Sequence, residues 1–310
     1  MKKLLLCTTL ILLYSTCKKV ELPPLSYTVT SIEADSIVFA AIGDYGDEGD
    51  PALMVSELVK SWSPDFIITL GDNNYERGLL STFDQNIGQY YCDYIYNPDA
   101  PDGYRCNGMA ALEGQNRFFP TLGNHDQESA NFSQPYLSMF TLPEKETYYS
   151  FKWGPVEFFT INSGRDGEAD CCGSEQAIWL KDALANSSTP FKIVYFHHPP
   201  YSSSKHGSNS NLQWPFKEWG ADIIFSGHSH QYERINEIND PHFYYIVNGL
   251  GGRAKFYDCN VNPLDNERFN SLCYDQNYGA MKLEANSEEL KIRFINVDEL
   301  VVDEVIILSD

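Results

Sequence analysis

Five short apolar runs along the chain each end in a residue whose side chain can bind a metal ion. These predicted buried strands are residues 36–42, 66–70, 118–122, 191–196 and 222–225. The polar residues that follow them are, in order, Asp44, Asp72, Asn124 with His125, His197, and His228 with His230. In α/β sheets, ligands bind beyond the carboxyl ends of the strands. We therefore predict an α/β fold that gathers these side chains at one edge.

The repetition carries this prediction, because a single aspartate after a strand usually caps a helix or forms a turn. The chain has seven histidines, and four of them follow predicted strands: His125, His197, His228 and His230. Helical periodicity predicts helices at 51–62 and 174–184, the second capped by Ser174. Residues 280–308 are predicted to form antiparallel strands with turns near Asn286 and Asp298.

Six of these side chains form a donor set that suits two metal ions. They offer carboxylate, amide and imidazole donors, which favour iron, zinc or manganese: Asp44, Asp72, Asn124, His197, His228 and His230. The set is too large for one tetrahedral zinc ion and fits two octahedral ions that share a bridging carboxylate. Two neighbouring ions clamp the attacking and leaving oxygens of a displacement at phosphorus, and they acidify a bound water.

The charge of the chain restricts its partners. Acidic residues outnumber basic ones by 43 to 22, which gives a net charge of −21. This excludes nucleic-acid binding as a main function, because the phosphate backbone requires a basic surface. A pair of metal ions would still attract phosphate into an acidic protein. We expect a small phosphoester or a phosphoprotein as substrate, and a monomer.

Five sequence blocks, in this order, resemble those of the calcineurin-like metallophosphoesterases. The blocks are GDYG at 43–46, GDNNY at 71–75, GNHD at 123–126, VYFH at 194–197 and GHSH at 227–230. Tyr75 in the second block makes the chain similar to purple acid phosphatases of the small, tartrate-resistant type. The resemblance covers residues 36–300 and implies a four-layer α/β/β/α sandwich, with two mixed sheets flanked by helices.

The resemblance also implies roles for single residues. A ferric ion would be bound by Asp44, Tyr75 and His230, and a divalent ion (iron, zinc or manganese) by Asn124, His197 and His228, with Asp72 as the bridge. Substrate phosphate would contact Asn124, His125 and His206, and the catalytic proton donors would be His125 and His206, which lies nine residues after His197. We interpret His198 and His242 as bystanders.

The activity that the resemblance implies is that of an acid phosphatase, in which a metal-bound hydroxide attacks a phosphate monoester in line. One alternative is a phosphodiesterase, or a hydrolase of nucleotides or pyrophosphate, on the same site. A second alternative is a non-catalytic surface lipoprotein that keeps the fold. Residues 83–116 form a tyrosine-rich insertion, which we predict to be a lid over the site, with a binding surface as the alternative.

The first 16 residues are predicted to be an export signal. Lys2 and Lys3 precede an apolar run that is too short to span a bilayer. Cys17 resembles the lipidated cysteine of a bacterial lipoprotein, which would be anchored in the periplasm or at the cell surface. An ordinary cleaved signal and a secreted product are the alternative. Residues 17–35 are predicted to be a tether, and residues 36–310 the metallophosphoesterase domain with its insertion at 83–116.

Cysteine usage agrees with export. The chain has eight cysteines, and six of them lie beyond the predicted signal and the predicted lipidation site, an even number that suggests disulfides in an exported protein. Adjacent Cys171 and Cys172 either bridge each other or pair elsewhere. Six cysteines allow 15 connectivities, and two candidate local pairs have equal separation, Cys92 with Cys106 and Cys259 with Cys273.

Overall fold

Two mixed β-sheets and their flanking helices form the fold of the computed structural model, as predicted. The structure describes residues 30–100, 103–104, 106, 115–129, 131–143, 147–164 and 173–309. In chain order the strands are β1 (Thr30–Ile32), β2 (Ser36–Ile42), β3 (Phe66–Thr69), β4 (Phe118–Pro120), β5 (Tyr149–Trp153), β6 (Val156–Thr160), β7 (Phe191–Tyr195), β8 (Ile223–Ser226), β9 (Tyr232–Glu237), β10 (Asp240–Asn248), β11 (Phe269–Tyr274), β12 (Gly279–Asn286), β13 (Glu289–Asn296) and β14 (Val301–Leu308). The α-helices are α1 (Asp50–Ser61), α2 (Gln89–Tyr91), α3 (Gln134–Met139), α4 (Glu175–Asn186) and α5 (Phe216–Trp219).

The six-stranded sheet has the order β14-β13-β12-β2-β3-β4. Strands β2, β3 and β4 are parallel, while β12, β13 and β14 form an antiparallel meander beside β2. The eight-stranded sheet has the order β1-β5-β6-β7-β8-β10-β9-β11, and its central strands β6, β7, β8 and β10 are parallel. Each sheet therefore has a parallel centre whose carboxyl ends open towards a common edge.

Aromatic side chains fill the space between the two sheets. Phe39 of β2 meets Phe158 of β6 edge to face with ring centroids 5.1 Å apart, and Phe66 of β3 lies 5.3 Å from the same ring. Successive strand residues point to opposite faces, so Phe159 instead joins a second core with Leu180 of α4. Helices α4 and α5 cover that outer face of the eight-stranded sheet, and α1 packs beside β12.

The structure confirms the predicted elements closely. The five apolar runs form β2, β3, β4, β7 and β8, and the two predicted helices are α1 and α4. Ser174 caps α4, since its hydroxyl accepts a hydrogen bond from the Ala177 backbone N–H at 3.3 Å. Residues 280–308 form the predicted meander.

One boundary differs from the prediction. Strand β1 lies inside the expected tether and pairs in parallel with β5, with Thr30 opposite Phe151 and Ile32 opposite Trp153. Gly154 N–H donates to the Ile32 carbonyl at 2.7 Å. Within the described residues, sheet structure is therefore present from Thr30, before the predicted start at residue 36.

Both candidate local disulfides are present, Cys92–Cys106 and Cys259–Cys273. Cys171, Cys172 and the whole segment 1–29 lie outside the described residues, so the vicinal bridge, the signal and the lipidation of Cys17 stay predictions. Among the helices that the described residues form, none has the length and apolar character needed to cross a membrane.

Candidate metal centre

Backbone glycines allow the strand-end loops to approach one another. Gly71 follows β3 with a φ of +89°, and a Cβ atom there would lie 2.5 Å from His197 Nδ1. A Cβ at Gly123, after β4, would lie 2.2 Å from Asp72 Oδ1. Any side chain at either position would push the loops apart, so these glycines are a steric requirement of the site.

The first donor set contains Asp44, Tyr75 and His230. The Tyr75 hydroxyl lies 3.0 Å from Asp44 Oδ1 and 3.3 Å from His230 Nε2. His230 Nε2 is also 3.2 Å from Asp44 Oδ1. All three side chains are buried, so their donor atoms converge on one small region away from bulk water.

The second donor set contains Asn124, His197 and His228. His197 Nε2 lies 3.2 Å from Asn124 Oδ1 and 3.3 Å from His228 Nδ1. His197 is fully buried. An amide oxygen and two imidazole nitrogens therefore face one another, as predicted from the strand ends.

Asp72 lies between the two sets and turns one carboxylate oxygen towards each. Its Oδ2 is 2.9 Å from the Tyr75 hydroxyl, and its Oδ1 is 3.3 Å from His197 Nε2. Donor atoms of Asp44, Asp72 and His197 lie within 4.8 Å of one another. This is the position that a bridging carboxylate requires.

Hydrogen bonds on the far side of two rings fix which nitrogen faces the centre. His197 Nδ1 bonds the Leu70 carbonyl at 2.8 Å, and His230 Nδ1 bonds the Lys255 carbonyl at 3.0 Å. Each contact leaves the Nε2 atom as the ligand. The backbone of the loops after β3 and β4 is also held in place. The buried Asp126 carboxylate accepts hydrogen bonds from the N–H groups of Asn73 at 3.0 Å and Gly123 at 2.8 Å.

The electrostatics show a buried centre that attracts positive charge. Burial alone would lower the pKa of His197, but the Asp72 carboxylate outweighs it and raises that pKa to about 9. Burial alone would raise the pKa of Asp72, yet His197 holds it well below its usual range. Burial, with the Asp72 charge next, raises the pKa of Asp126 to about 7. Burial and the charge of His197 lower the pKa of His228.

Three of the predicted ligands have left-handed backbone conformations, with φ values of 55° at Asp44, 52° at Asp72 and 69° at His228. This region costs a non-glycine residue about 1 kcal/mol or more, and such strain concentrates at functional sites. The fold accepts this cost at the three residues that turn their side chains into the centre.

The donor set fits a pair of metal ions on this geometry. Among the residues that the structure describes, neither Asp44 nor Asp72 pairs with a lysine or an arginine. Their contacts are histidine rings, the Tyr75 hydroxyl and one backbone N–H each, from His228 to Asp44 and from His125 to Asp72. Two buried carboxylates without a permanent cation are costly unless a cation binds between them. Carboxylate, phenol, amide and imidazole donors suit iron, zinc or manganese.

The two predicted proton donors lie at the mouth of a cleft above this centre. The cleft has a volume of about 150 Å³, and both His125 and His206 line it. His125 Nδ1 bonds the Glu76 carbonyl at 2.6 Å, and its Nε2 lies 4.0 Å from Asp72 Oδ2. The His206 ring lies 4.5 Å from the His228 ring, and burial together with Lys205 lowers its pKa.

Four residues of this cleft were not predicted to belong to it: Glu76, Arg253, Lys255 and Tyr257. Tyr257 stacks on the His230 ring at 4.5 Å, and Arg253 and Lys255 line the opening beside it. His198, which we interpreted as a bystander, lies 4.5 Å from the His228 ring and bonds Ser163 Oγ at 3.1 Å. Burial, with the charge of His197, lowers the pKa of His198 to about 3, which keeps it neutral. His242, the other predicted bystander, is exposed on β10.

The expected lid over the site is wrong for the part of the insertion 83–116 that the structure describes. None of its described residues lines the cleft. Tyr91 instead packs edge to face on Tyr45 at 5.5 Å and lies 5.7 Å from Phe118 of β4. Tyr90, Tyr91 and Tyr94 are all buried in the core. These three tyrosines contribute to hydrophobic packing and not to an aromatic binding surface, whereas Tyr96 and Tyr104 are half-buried.

Three comparisons with known proteins agree with this geometry. The profile of the family described as calcineurin-like phosphoesterase matches residues 34–232. Purple acid phosphatase 15 of Arabidopsis thaliana is 30% identical over 246 residues, covering 70% of this chain and 45% of its own. Purple acid phosphatase 17 of the same plant is 24% identical over 297 residues, covering 84% of this chain and 81% of its own.

A solved structure shows the same fold. The purple acid phosphatase from seeds of yellow lupin (Lupinus luteus) superposes with a TM-score of 0.71 at 20% identity, and the match covers 91% of this chain and 55% of the lupin chain. The chain thus spans about half the length of some of these relatives and about four-fifths of others. The resemblance that the sequence blocks indicated is confirmed.

Proposed function

Because the chain belongs to the calcineurin-like phosphoesterase family, we propose that it is a metal-dependent phosphatase that hydrolyses phosphate monoesters. The observation that carries the proposal is Asp72, whose two oxygens face two separate donor sets at 2.9 and 3.3 Å. That arrangement suits a two-ion centre, which is the machinery for displacement at phosphorus.

The two donor sets differ in chemistry, which assigns a different ion to each. The set with Asp44, Tyr75 and His230 contains a phenol oxygen, which favours a ferric ion, and the set with Asn124, His197 and His228 suits divalent iron, zinc or manganese. When bound, the ions would polarise the phosphoryl oxygens and acidify a water molecule.

The chain itself supplies the proton for the leaving group. His125 Nδ1 donates to the Glu76 carbonyl at 2.6 Å, so Nε2 is the ring nitrogen left for the cleft. We assign His125 as the general acid, with Asn124 beside it at the phosphate. His206 faces the same cleft from the opposite loop, and we assign it to the phosphoryl oxygens or the leaving group.

We also propose that the protein is exported, is anchored through Cys17, and works as a monomer on small phosphoesters or phosphoproteins. Support comes from the two disulfides, which persist in oxidising compartments. Cell fractionation and lipid labelling of the full chain and of Cys17→Ala test this. Labelling that survives the substitution, or a cytoplasmic product, would contradict it.

Metal analysis joined to a phosphoester panel tests the enzyme proposal. The purified protein should hold two ions per chain and hydrolyse p-nitrophenyl phosphate faster than its bis ester. Asp72→Asn should lose both metal and turnover, the latter by about a thousand-fold or more, because the ions supply several kcal/mol of transition-state stabilisation. Asp182→Asn, at an exposed position of helix α4, is the matched control and should keep both. Full turnover in Asp72→Asn would refute the two-ion centre.

The visible spectrum tests the ferric position separately. Iron-loaded protein should be coloured by charge transfer from Tyr75 to iron, and Tyr75→Phe should lose this band while it keeps most of its metal. Tyr257→Phe, whose ring also lies at the cleft, should keep the band. A colourless iron-loaded wild type would remove Tyr75 from the coordination sphere.

A further inference from the structure

Two lysines converge on one tyrosine at the rim of the cleft. Lys205 Nζ lies 4.0 Å from the centre of the Tyr257 ring, and Lys255 Nζ lies 5.3 Å from it. Because the His230 ring covers one face of Tyr257 at 4.5 Å, no ammonium group fits between those rings, and Lys205 lies against the other face. The lysines therefore lie beside a proposed metal ligand without taking part in the donor set.

These two charges are not compensated locally. Arg253, at the same rim, is neutralised by Asp47 at 2.8 Å and by Glu76. In the described part of the chain, neither Lys205 nor Lys255 forms an ion pair with a carboxylate, although the protein carries a net charge of −21. Both are exposed at their tips. A positive rim on an acidic protein focuses anions at that point.

The loops that carry the lysines are held in fixed positions. The Asn262 N–H donates to the Ser203 carbonyl at 2.8 Å, and Asn262 Nδ2 donates to the Ser204 carbonyl at 2.8 Å. Buried Glu233 accepts from the Ser203 N–H at 2.9 Å. The Cys259–Cys273 disulfide begins two residues after Tyr257. The rim is therefore organised before substrate binds, which reduces the entropy cost of binding.

We propose that Lys205 and Lys255 bind a second phosphate group of the substrate, so that the preferred substrates are phosphate monoesters that carry another phosphate. The inference rests on the proposed phosphatase function and names its substrate class. One phosphate would lie over the donor sets, and the second would receive charge-assisted hydrogen bonds from the lysines. The reaction is unchanged: water adds to phosphorus, the ester P–O bond breaks, and the alcohol oxygen takes the proton.

Matched substrate pairs test the proposal. Fructose 1,6-bisphosphate is compared with fructose 6-phosphate, and 2,3-bisphosphoglycerate with 3-phosphoglycerate, so that each pair differs by one phosphate ester. The wild type should favour the doubly phosphorylated member of at least one pair by about ten-fold in kcat/KM, as expected for one charge-assisted contact. A preference within the first pair alone indicates a spaced second phosphate, and one within the second pair an adjacent phosphate.

Variants then locate the preference. The double variant Lys205→Gln, Lys255→Gln should lose most of it, mainly through a higher KM, whereas Lys205→Arg, Lys255→Arg should retain it. Lys181→Gln, at an exposed position of helix α4, is the control and should leave kcat/KM unchanged for both members of a pair. Added salt should reduce the wild-type preference.

The failures are distinguishable. No turnover of either member of a pair, or of p-nitrophenyl phosphate, refutes the phosphatase function itself. Turnover of the single phosphates with no preference in either pair overturns the second-phosphate site alone. So does a preference that survives the double glutamine variant.

Discussion

Two disulfide-bridged segments of this chain have the same size and opposite surroundings. Cys92–Cys106 and Cys259–Cys273 each close a separation of 14 residues. The first follows Tyr90 and Tyr91, which are buried in the main core, and the second follows Tyr257, which packs on a proposed metal ligand. The first disulfide therefore lies beside core packing, and the second holds the rim of the cleft in place.

The two segments differ in their position relative to the sheets. Tyr91, which precedes the first bridge, packs on the ring of Phe118 in β4. The second segment lies at the strand ends, where its backbone bonds the loop of Ser203. Position in the sheet, rather than composition, separates a loop that stabilises the core from one that shapes the cleft.

The largest expected effect on stability comes from the core side. Tyr91→Ala should lower the free energy of unfolding by about 3–5 kcal/mol, because it removes a large, fully buried ring. Tyr91→Phe should cost little, since the hydroxyl of Tyr91 has no hydrogen-bond partner in the described part of the structure. Chemical denaturation measures both. A small loss in Tyr91→Ala would show that the segment is not part of the core.

The two disulfides give the next effect and test the comparison directly. Replacing either pair with serines should lower stability by about 3 kcal/mol, the entropy expected for loops of this length. Only loss of Cys259–Cys273 should also change KM for phosphoesters, because Tyr257 and Lys255 lie next to it. Equal effects of both pairs on KM would mean that the second segment does not shape the cleft.

The smallest effects come from two hydroxyl groups. Tyr90 OH accepts a hydrogen bond from the Gly49 N–H at 3.1 Å, so Tyr90→Phe should cost about 0.5–1.5 kcal/mol of stability. Tyr257→Phe should leave stability unchanged, because among the described residues the structure gives its hydroxyl no hydrogen bond. Thermal unfolding of the two variants, measured together, separates them. A larger loss in Tyr257→Phe would reverse the assignment of the two regions.

The centre of the fold could be predicted because two local signals coincide there. Buried parallel strands appear as apolar runs, and Asp44, Asp72 and His197 interrupt the pattern at the point where each strand ends. The meeting of Asp44 and Asp72 follows from the parallel arrangement of β2 and β3, which lie side by side in one sheet. His197 follows β7 of the other sheet, so its approach to them depends on how the two sheets pack, which no local pattern shows.

Strand β9 was missed because its polar sequence hides its burial. Glu233 is fully buried there, and its carboxylate accepts bonds from the Ser203 N–H at 2.9 Å and from Ser271 Oγ at 2.6 Å. These partners are distant in sequence, so no local sequence pattern predicts them. Tyr257 and Lys255 were missed for the same reason, since the disulfide and backbone bonds to distant loops place them at the cleft.

Tyr257 contributes both to the rim of the cleft and to the position of His230, a proposed metal ligand. Its ring packs on His230, its N–H donates to the His230 carbonyl at 3.0 Å, and nearby Lys255 accepts from the same imidazole. A substitution that reshapes the rim for a new substrate would therefore also disturb the coordination of an ion. A new substrate specificity could therefore evolve only through substitutions that keep the contacts of Tyr257 and Lys255 with His230.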